Sequence, residues 1–500
     1  MNLKHTSLSA SIALMFAVVA APSQAQSAKD FADMRAEIKR LGDELKELKQ
    51  AKAPAAAPAP AISNAELAER VEQVELRVKD AVVGGDIPNS SRLPGSDTSV
   101  RLYGFAELNM VKEFKGDNAN NDYSTFAPYA PLNDSAEGRR KGGNYLHART
   151  SRFGIEASTP TQYGPLSVKI EGDFNNDPRT GNAAVYGDIK NIYTQQATNS
   201  YNFRLRHAYG QFGGLLVGQT WSTFMDVDNS PETVDFNGTI GGTFIRQPMV
   251  RYTYPTKDYG SFTVAAENAS SYVLEGTPNI VETVDPVTGV VSKQADGSSS
   301  FAATTKGFSK VPDVVARWDK GFGWGGVSVR GVVTEHRLDD GADVDLSKRG
   351  YGFAASALYK TFGSDFMTVG LTGGTGIGRY FNYIEGALYD AANKRILTEK
   401  ALGVVLGYQH KPSDTLRFNG SVGYQRNYDN AYTDYARANG LDSGQYAVNS
   451  KVWQAHLGFI WNPVKGVDFG AEYILGRRKT LAGEEGDLSR VNLSAKYNFN

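Results

Sequence analysis

The chain has 500 residues, a formal charge of −1 and no cysteine, with a pI near 6.6. Near-neutral charge leaves no electrostatic footprint for nucleic acid. The lack of thiols excludes disulfides, thiolate metal sites and a cysteine nucleophile, and suits a compartment where stray thiols oxidise.

Residues 1–25 have a Lys4–His5 head, an apolar run from Ile12 to Ala21 and the close Ser23-Gln24-Ala25. This is the build of a secretory signal peptide cleaved after Ala25; the run is too short for an uncleaved anchor helix. Residues 26–83 carry heptads. Phe31, Ile38 and Leu45 repeat every seven residues, with Met34, Leu41 and Leu48 three further on and charges between them. An Ala/Pro break at 53–60 interrupts the pattern. Leu67, Val71, Val74, Val78 and Ala81 then resume it. A strict seven-residue apolar repeat makes a seam for a partner helix, so the segment is expected to be a short oligomeric coiled coil. An amphipathic helix lying on its own barrel is the alternative. A turn-rich linker follows at 84–98.

From residue 99 the period changes to two. Leu166, Val168 and Ile170 alternate with Ser167, Lys169 and Glu171, and Val491, Leu493, Ala495, Tyr497 and Phe499 alternate with Arg490, Asn492, Ser494, Lys496 and Asn498. In an extended chain, successive side chains take opposite faces. About sixteen such stretches recur, near 100–110, 152–157, 166–174, 203–210, 215–221, 249–254, 262–267, 313–318, 327–334, 351–360, 367–371, 402–409, 416–425, 453–461, 467–475 and 489–499. The connections alternate short and long, with both ends on the short side. The long ones are expected at 112–146, 175–200, 222–243, 270–310, 337–348, 379–395, 427–448 and 478–486. Aromatic residues such as Tyr254, Trp318, Tyr359, Tyr408, Tyr424 and Trp461 fall at strand ends. The pattern predicts an all-β transmembrane barrel of sixteen antiparallel strands over 99–500, in a bacterial outer membrane, behind an N-terminal coiled-coil helix. The mean hydropathy of −0.38 is no obstacle, because half of each barrel strand faces water.

Sixteen strands enclose a water-filled lumen, so function is sought on the polar parity. The expected lumen cations are Arg101, Arg152, Lys169, Arg204, Arg206, Arg251, Arg317, Arg330, Arg417, Arg490 and Lys496. The expected acids are Glu107, Glu156, Glu171, Asp173, Glu267, Asp313, Asp468 and Glu472. The excess is basic and mostly arginine, whose planar fork pairs with carboxylate and phosphate; salt bridging within the wall is the rival reading. The loop at 222–243 carries Asp226, Asp228, Glu232 and Asp235 with Gly238, Gly241 and Gly242. Folded into the bore, it would turn its acids toward the wall of Arg204, Arg206 and Arg251, and the field would select ions. A Ca²⁺ site of Asp226, Asp228 and Glu232 is disfavoured by the spacing.

The runs F-R-L-R-H-A-Y-G-Q-F-G-G-L-L-V-G-Q-T-W-S-T-F-M-D (203–226), P-E-T-V-D-F-N-G (231–238) and R-Q-P-M-V-R-Y-T (246–253) resemble the DcaP-like outer-membrane porins, and R-T-S-R-F-G-I-E-A (149–157) resembles a general porin strand. The resemblance covers essentially the whole chain. It implies a homotrimer with a periplasmic coiled coil, embedded in the lipid bilayer and taking up small anionic solutes, dicarboxylic and aromatic acids among them. It implies no substrate residues. One departure is that Phe499 is penultimate and Asn500 last, where barrels of this class commonly end on an aromatic residue.

The resulting expectation is a passive, anion-preferring diffusion channel, with no catalytic residues, cofactor or metal. Its alternatives are a phosphate- or polyphosphate-type porin and an envelope tether whose coiled coil grips peptidoglycan. An outer-membrane hydrolase is disfavoured because none of the six His lies in a recognisable motif. A TonB-dependent transporter would need a plug domain, for which residues 26–98 are too short.

Overall fold

The structure, a computed structural model, describes residues 83–116, 127–175, 203–284, 291–381 and 386–499, with Lys39, Arg40 and Asp43 besides. The signal peptide, almost all of the heptad segment and Asn500 lie outside the described residues.

Sixteen strands form a closed antiparallel barrel: β1 (Ser99–Lys115), β2 (Arg152–Thr159), β3 (Leu166–Asp173), β4 (Arg204–Phe212), β5 (Leu215–Trp221), β6 (Arg246–Thr256), β7 (Gly260–Glu267), β8 (Asp313–Phe322), β9 (Gly325–Asp339), β10 (Asp345–Lys360), β11 (Phe366–Thr375), β12 (Lys400–Ser413), β13 (Leu416–Asn427), β14 (Asn449–Trp461), β15 (Val467–Thr480) and β16 (Glu485–Phe499). Every alternation read from the sequence is one of them. The ring closes where β16 pairs with β1, from Phe499 opposite Gly104 to Ser489 opposite Lys115. Closure matters because lipid offers no hydrogen bonds, and each unpaired backbone group there costs several kcal/mol.

The two parities face as expected. Val168, Ile170, Val250, Phe262, Val264, Phe353, Leu406, Val422 and Leu457 are all exposed on the outer face. The alternate residues Glu171, Arg206, Glu267, Arg330, Gln454, Glu472 and Arg490 are buried inside. The apolar side chains thus lie outside and the polar ones inside, the reverse of a protein that folds in water. At the short-turn end, aromatic side chains form a girdle. Phe322 stacks on Trp324 at 5.0 Å between centroids, Trp324 sits 5.8 Å from Tyr359, and Trp318 donates to the Tyr259 carbonyl at 2.7 Å. Such rings suit the interface between lipid and water.

The strands depart from the simple alternation in two ways. In β4, Glu171 pairs with His207 but Gly172 pairs with Leu205, so Arg206 is the extra residue of a β-bulge. Beyond it the parity shifts by one. Tyr209, assigned by alternation to the face of Phe203 and Leu205, instead lies opposite inward-facing Lys169. Second, two loops are shorter than expected. β9 and β10 pair out to Asp339 opposite Asp345, and β15 and β16 out to Lys479 opposite Glu485. Cross-strand ion pairs such as Arg477 with Asp487 at 2.6 Å hold the extended ends together.

The remaining long connections carry structure of their own. Leu274–Val284 and Val291–Ala303 form a hairpin, and Leu274 pairs in parallel with Leu388 of a second hairpin, Ala387–Asp390 with Arg395–Thr398. Helix α1 (Ala431–Ala438) starts at Asn430, whose side chain accepts from the Tyr432 and Thr433 N–H groups in a capping box. It packs Tyr432 and Ala436 against Leu388, Leu397 and Val448. Residues 83–102 and 156–165 belong to a separate small unit. In it the Asp86 N–H donates to the Ser99 hydroxyl at 2.8 Å, and Arg101 pairs with Glu156 at 2.5 Å.

Candidate functional site

The loop at 222–243 lies inside the barrel, bolted to inward-facing side chains of strands far from its own. It leaves β5 with the Ser222 hydroxyl and the Thr223 N–H donating to Glu267 at 2.7 and 2.6 Å. Asp226 then meets Arg317 of β8 at 3.4 Å, accepts from Asn229 at 2.6 Å and accepts from the Ser356 hydroxyl of β10. Arg330 of β9 donates to the Phe224 carbonyl at 3.2 Å and to Ser356 at 2.8 Å. Glu232 receives a two-pronged pair from Arg417 of β13 at 2.6 and 2.7 Å, with Gln409 and Asn419 donating at 2.9 and 3.2 Å. Asp235 accepts from Arg490 of β16, while its N–H and that of Val234 donate to Glu472 at 3.0 and 3.1 Å.

Apolar contacts complete the attachment. Ile240 packs with Val452, Ile474 and Leu488, together with Ala127 and Ala130 from the first long loop. Phe224 packs with Val315, Val332, Ile377, Tyr380 and Phe381. Segments 127–130 and 377–381 thus join the 222–243 loop from other loops to form one plate across the bore. Gly241, at φ +96°, passes so close to β12 that a Cβ there would sit 2.6 Å from the Val404 carbonyl oxygen.

Three of the loop acids therefore meet Arg317, Arg417 and Arg490 rather than Arg204 and Arg206, and the fourth, Asp228, lies beside Arg251. Asp228 stays exposed at a recess of about 420 Å³ that it shares with Arg251, Arg317 and Asp319. Arg251 has no ion pair or hydrogen bond among the described residues. Glu232 is drawn away from Asp226 and Asp228 to Arg417, and no cluster able to hold a metal occurs among the described residues.

What faces the β3–β4 wall is aromatic. Arg204 and Arg206 lie 5.6 and 5.5 Å from the Phe236 ring centre. Their carboxylate partners are on β3. Arg204 pairs in two-pronged fashion with Asp173 at 2.9 and 2.8 Å, and Arg206 bridges Glu171 at 2.7 Å and Asp173 at 2.8 Å. Arg206 is 3% exposed and serves the wall, whereas Arg204 keeps 33% of its side chain open with Asp173 buried behind it. Arg152 shares Glu171 at 3.5 Å and lies 5.0 Å over Phe105. Lys169 lies 5.1 Å over Tyr103.

One cation of this group is not among those singled out by the alternation. Arg246, the first residue of β6, stacks on Trp221 with 3.6 Å between guanidinium carbon and ring centre, and Phe244 lies 5.6 Å away. Its Nε and one terminal nitrogen are buried without a hydrogen-bond partner among the described residues. Arg206 reaches the same Trp221 ring from 5.8 Å. The register sets 221 opposite 246 on the parity of the exposed Val217 and Val250, yet both side chains meet Phe244 of the inner loop, and Arg206 lies near the same Trp221 ring. The Arg246–Gln247–Pro248 run is a visible signal, but only the fold shows that no carboxylate among the described residues is in contact with it.

Residues 85–499 match the family described as DcaP outer membrane protein. The chain belongs to that family. It is similar to the outer membrane channel DcaP of Acinetobacter baumannii, at 25% identity and a TM-score of 0.61, over 83% of this chain and 100% of that one. It also resembles OmpT, an outer membrane protein of Vibrio cholerae, at 13% identity and a TM-score of 0.45, over 80% of this chain and 99% of the other. No curated protein matches it in sequence. The chain is thus an outer-membrane porin, and family and fold are those of channels rather than enzymes.

Proposed function

We propose that this porin is an anion-preferring passive channel for small carboxylates, mono- and dicarboxylic and aromatic acids among them. The observation that carries the reading is Arg246: a cation stacked on Trp221, beside Arg204 and Arg206, with no acceptor of its own among the described residues. Arg152, Lys169, Arg204, Arg206 and Arg246 outnumber Glu171 and Asp173 on this stretch of wall, so an incoming anion meets an uncompensated positive field. Transport needs no chemistry. Wall charges replace part of the solute's hydration, and shallow binding lets it leave. The opposite half of the bore, where loop acids and wall arginines neutralise one another, acts as a fixed partition.

Phosphate would also answer an arginine fork. The flat apolar surfaces of Trp221, Phe236 and Phe244 favour a solute with a carbon body, and competition of conductance by phosphate against succinate and benzoate separates the two. Liposome swelling with the full-length porin tests the site itself. Arg246→Ala is expected to slow benzoate and succinate uptake about tenfold, the loss of one charged hydrogen bond, with glucose uptake unchanged. Equal carboxylate uptake by the variant removes Arg246 from the pathway. We also propose a homotrimer carrying a coiled coil over 26–83, to be tested by the mass of the extracted full-length protein. Binding of that protein to isolated cell wall would support the peptidoglycan-tether role instead.

A further inference from the structure

The lipid-facing wall ends, on its long-loop side, in a basic cluster that transport does not use. Arg426 on β13 lies directly opposite Lys451 on β14, and Lys451 lies opposite Lys479 on β15. Lys400 on β12 joins them: its carbonyl accepts from the Tyr428 N–H at 2.8 Å. The Arg426 guanidinium and the Lys400 ammonium both lie over the Tyr428 ring, at 4.9 and 5.9 Å. Neighbouring strands are about 4.8 Å apart, so these charges gather within one headgroup's width.

Their parity is that of the lipid face. Two residues along the strands stand Leu402, Tyr424 and Trp453, and beyond them the exposed Leu406, Val422 and Leu457. Like charges directly opposite each other destabilise a sheet, and the acids nearby are held mainly by other cations. Lys400, Arg426 and Lys451 have no ion pair or hydrogen bond among the described side chains. Asp429 is held by Arg437 at 2.5 Å. Glu485 is held by Arg477 at 2.9 Å and meets Lys479 only at 3.6 Å. Asp487 serves Arg477 at 2.6 Å and Lys115 at 3.6 Å.

Long loops of such barrels lie on the outer side of the membrane, so the cluster stands at headgroup level of the outer leaflet, continuous with the apolar belt below it. We propose that Lys400, Arg426 and Lys451, with Lys479 at the margin, form a binding site for a phosphate-bearing glycolipid of the outer leaflet. The acyl chains would lie along Leu402, Leu406, Val422 and Trp453, and the phosphates would bridge the paired cations. Tyr428 fixes two of the cations in place at little further entropic cost.

The test uses the full-length porin in phosphatidylcholine nanodiscs, titrated with bis-phosphorylated lipid A and followed by native mass spectrometry. Retention of the phosphorylated lipid is expected to fall roughly a hundredfold in the triple variant Lys400→Ala, Arg426→Ala, Lys451→Ala, about fivefold for each basic side chain at an anionic surface. It should survive in Lys400→Arg, Arg426→Lys, Lys451→Arg. Single-channel conductance of both variants should match the wild type, which reports an intact barrel. Dephosphorylated lipid A should bind the wild type as weakly as the phosphorylated lipid binds the alanine variant. Inorganic phosphate at equal phosphate concentration should fail to displace the lipid. Unchanged retention by the alanine variant, equal binding of the dephosphorylated lipid, or displacement by inorganic phosphate would each overturn the proposal. A change of oligomeric mass in the alanine variant would assign this face to a contact between copies and overturn it too.

Discussion

At the residue scale, the arginines of the bore fall into two kinds that the sequence shows alike. Arg206, Arg417 and Arg490 each have a carboxylate in contact and hold the structure. Arg246 has none among the described residues, and the proposed pathway assigns it to the solute. Guanidinium stacking depends on the flat fork, which lysine lacks. Arg246→Lys should therefore keep chloride over potassium preference in bilayer recordings while losing most of the carboxylate advantage in swelling assays. Recovery of full carboxylate uptake by lysine would mean that only the charge at this position matters. A different outcome is expected at Arg490, which is fully buried between Asp235 and Glu113. Arg490→Ala takes the buried cation from between two carboxylates, a loss of about 3–5 kcal/mol, and urea refolding into vesicles should show the lowered midpoint. The sequence reveals Arg490 by parity alone. It does not show which arginine has a partner, because such partners come from far along the chain, Asp235 and Arg490 being 255 positions apart.

At the scale of elements, the barrel strands are readable because period two is a local signal: one apolar face to lipid and one polar face to water. The bulge at Arg206 is not, since a single extra residue leaves composition unchanged while turning Tyr209 inward. Nor is the way the loops meet. The 222–243 acids are legible as acids, but the sequence leaves open whether the loop enters the bore. Their pairing with Arg317, Arg417 and Arg490 follows instead from barrel curvature, which brings the far wall to the loop. The small sheet of residues 274–303 and 387–398 and helix α1 carry patterns too short to separate from turns. The plate is a fixed element in this account. Glu232→Gln combined with Asp235→Asn should loosen it, and single-channel records should then show frequent closures and sublevels where the wild type is steady. Gly241→Val should do the same through the Val404 carbonyl contact, and steady currents in both would show that the apolar contacts of Phe224 and Ile240 suffice.

At the scale of the whole molecule, the porin inverts the usual order of burial, and the two faces should answer differently to the same change. Leu406→Arg puts a charge on the lipid face at mid-strand, a loss of about 2–4 kcal/mol at the membrane midplane. Heat-modifiable migration should report a fall in folded yield. Thr253→Arg, on the inward parity beside Arg251, should fold normally and change only selectivity. The central claim is that the unpaired cations of the bore outweigh its acids where solute passes. The reversal potential of the full-length porin in a planar bilayer across a tenfold KCl gradient tests this most directly: a potential of the sign set by chloride permeating faster than potassium is the predicted result, and a potential of the opposite sign contradicts it.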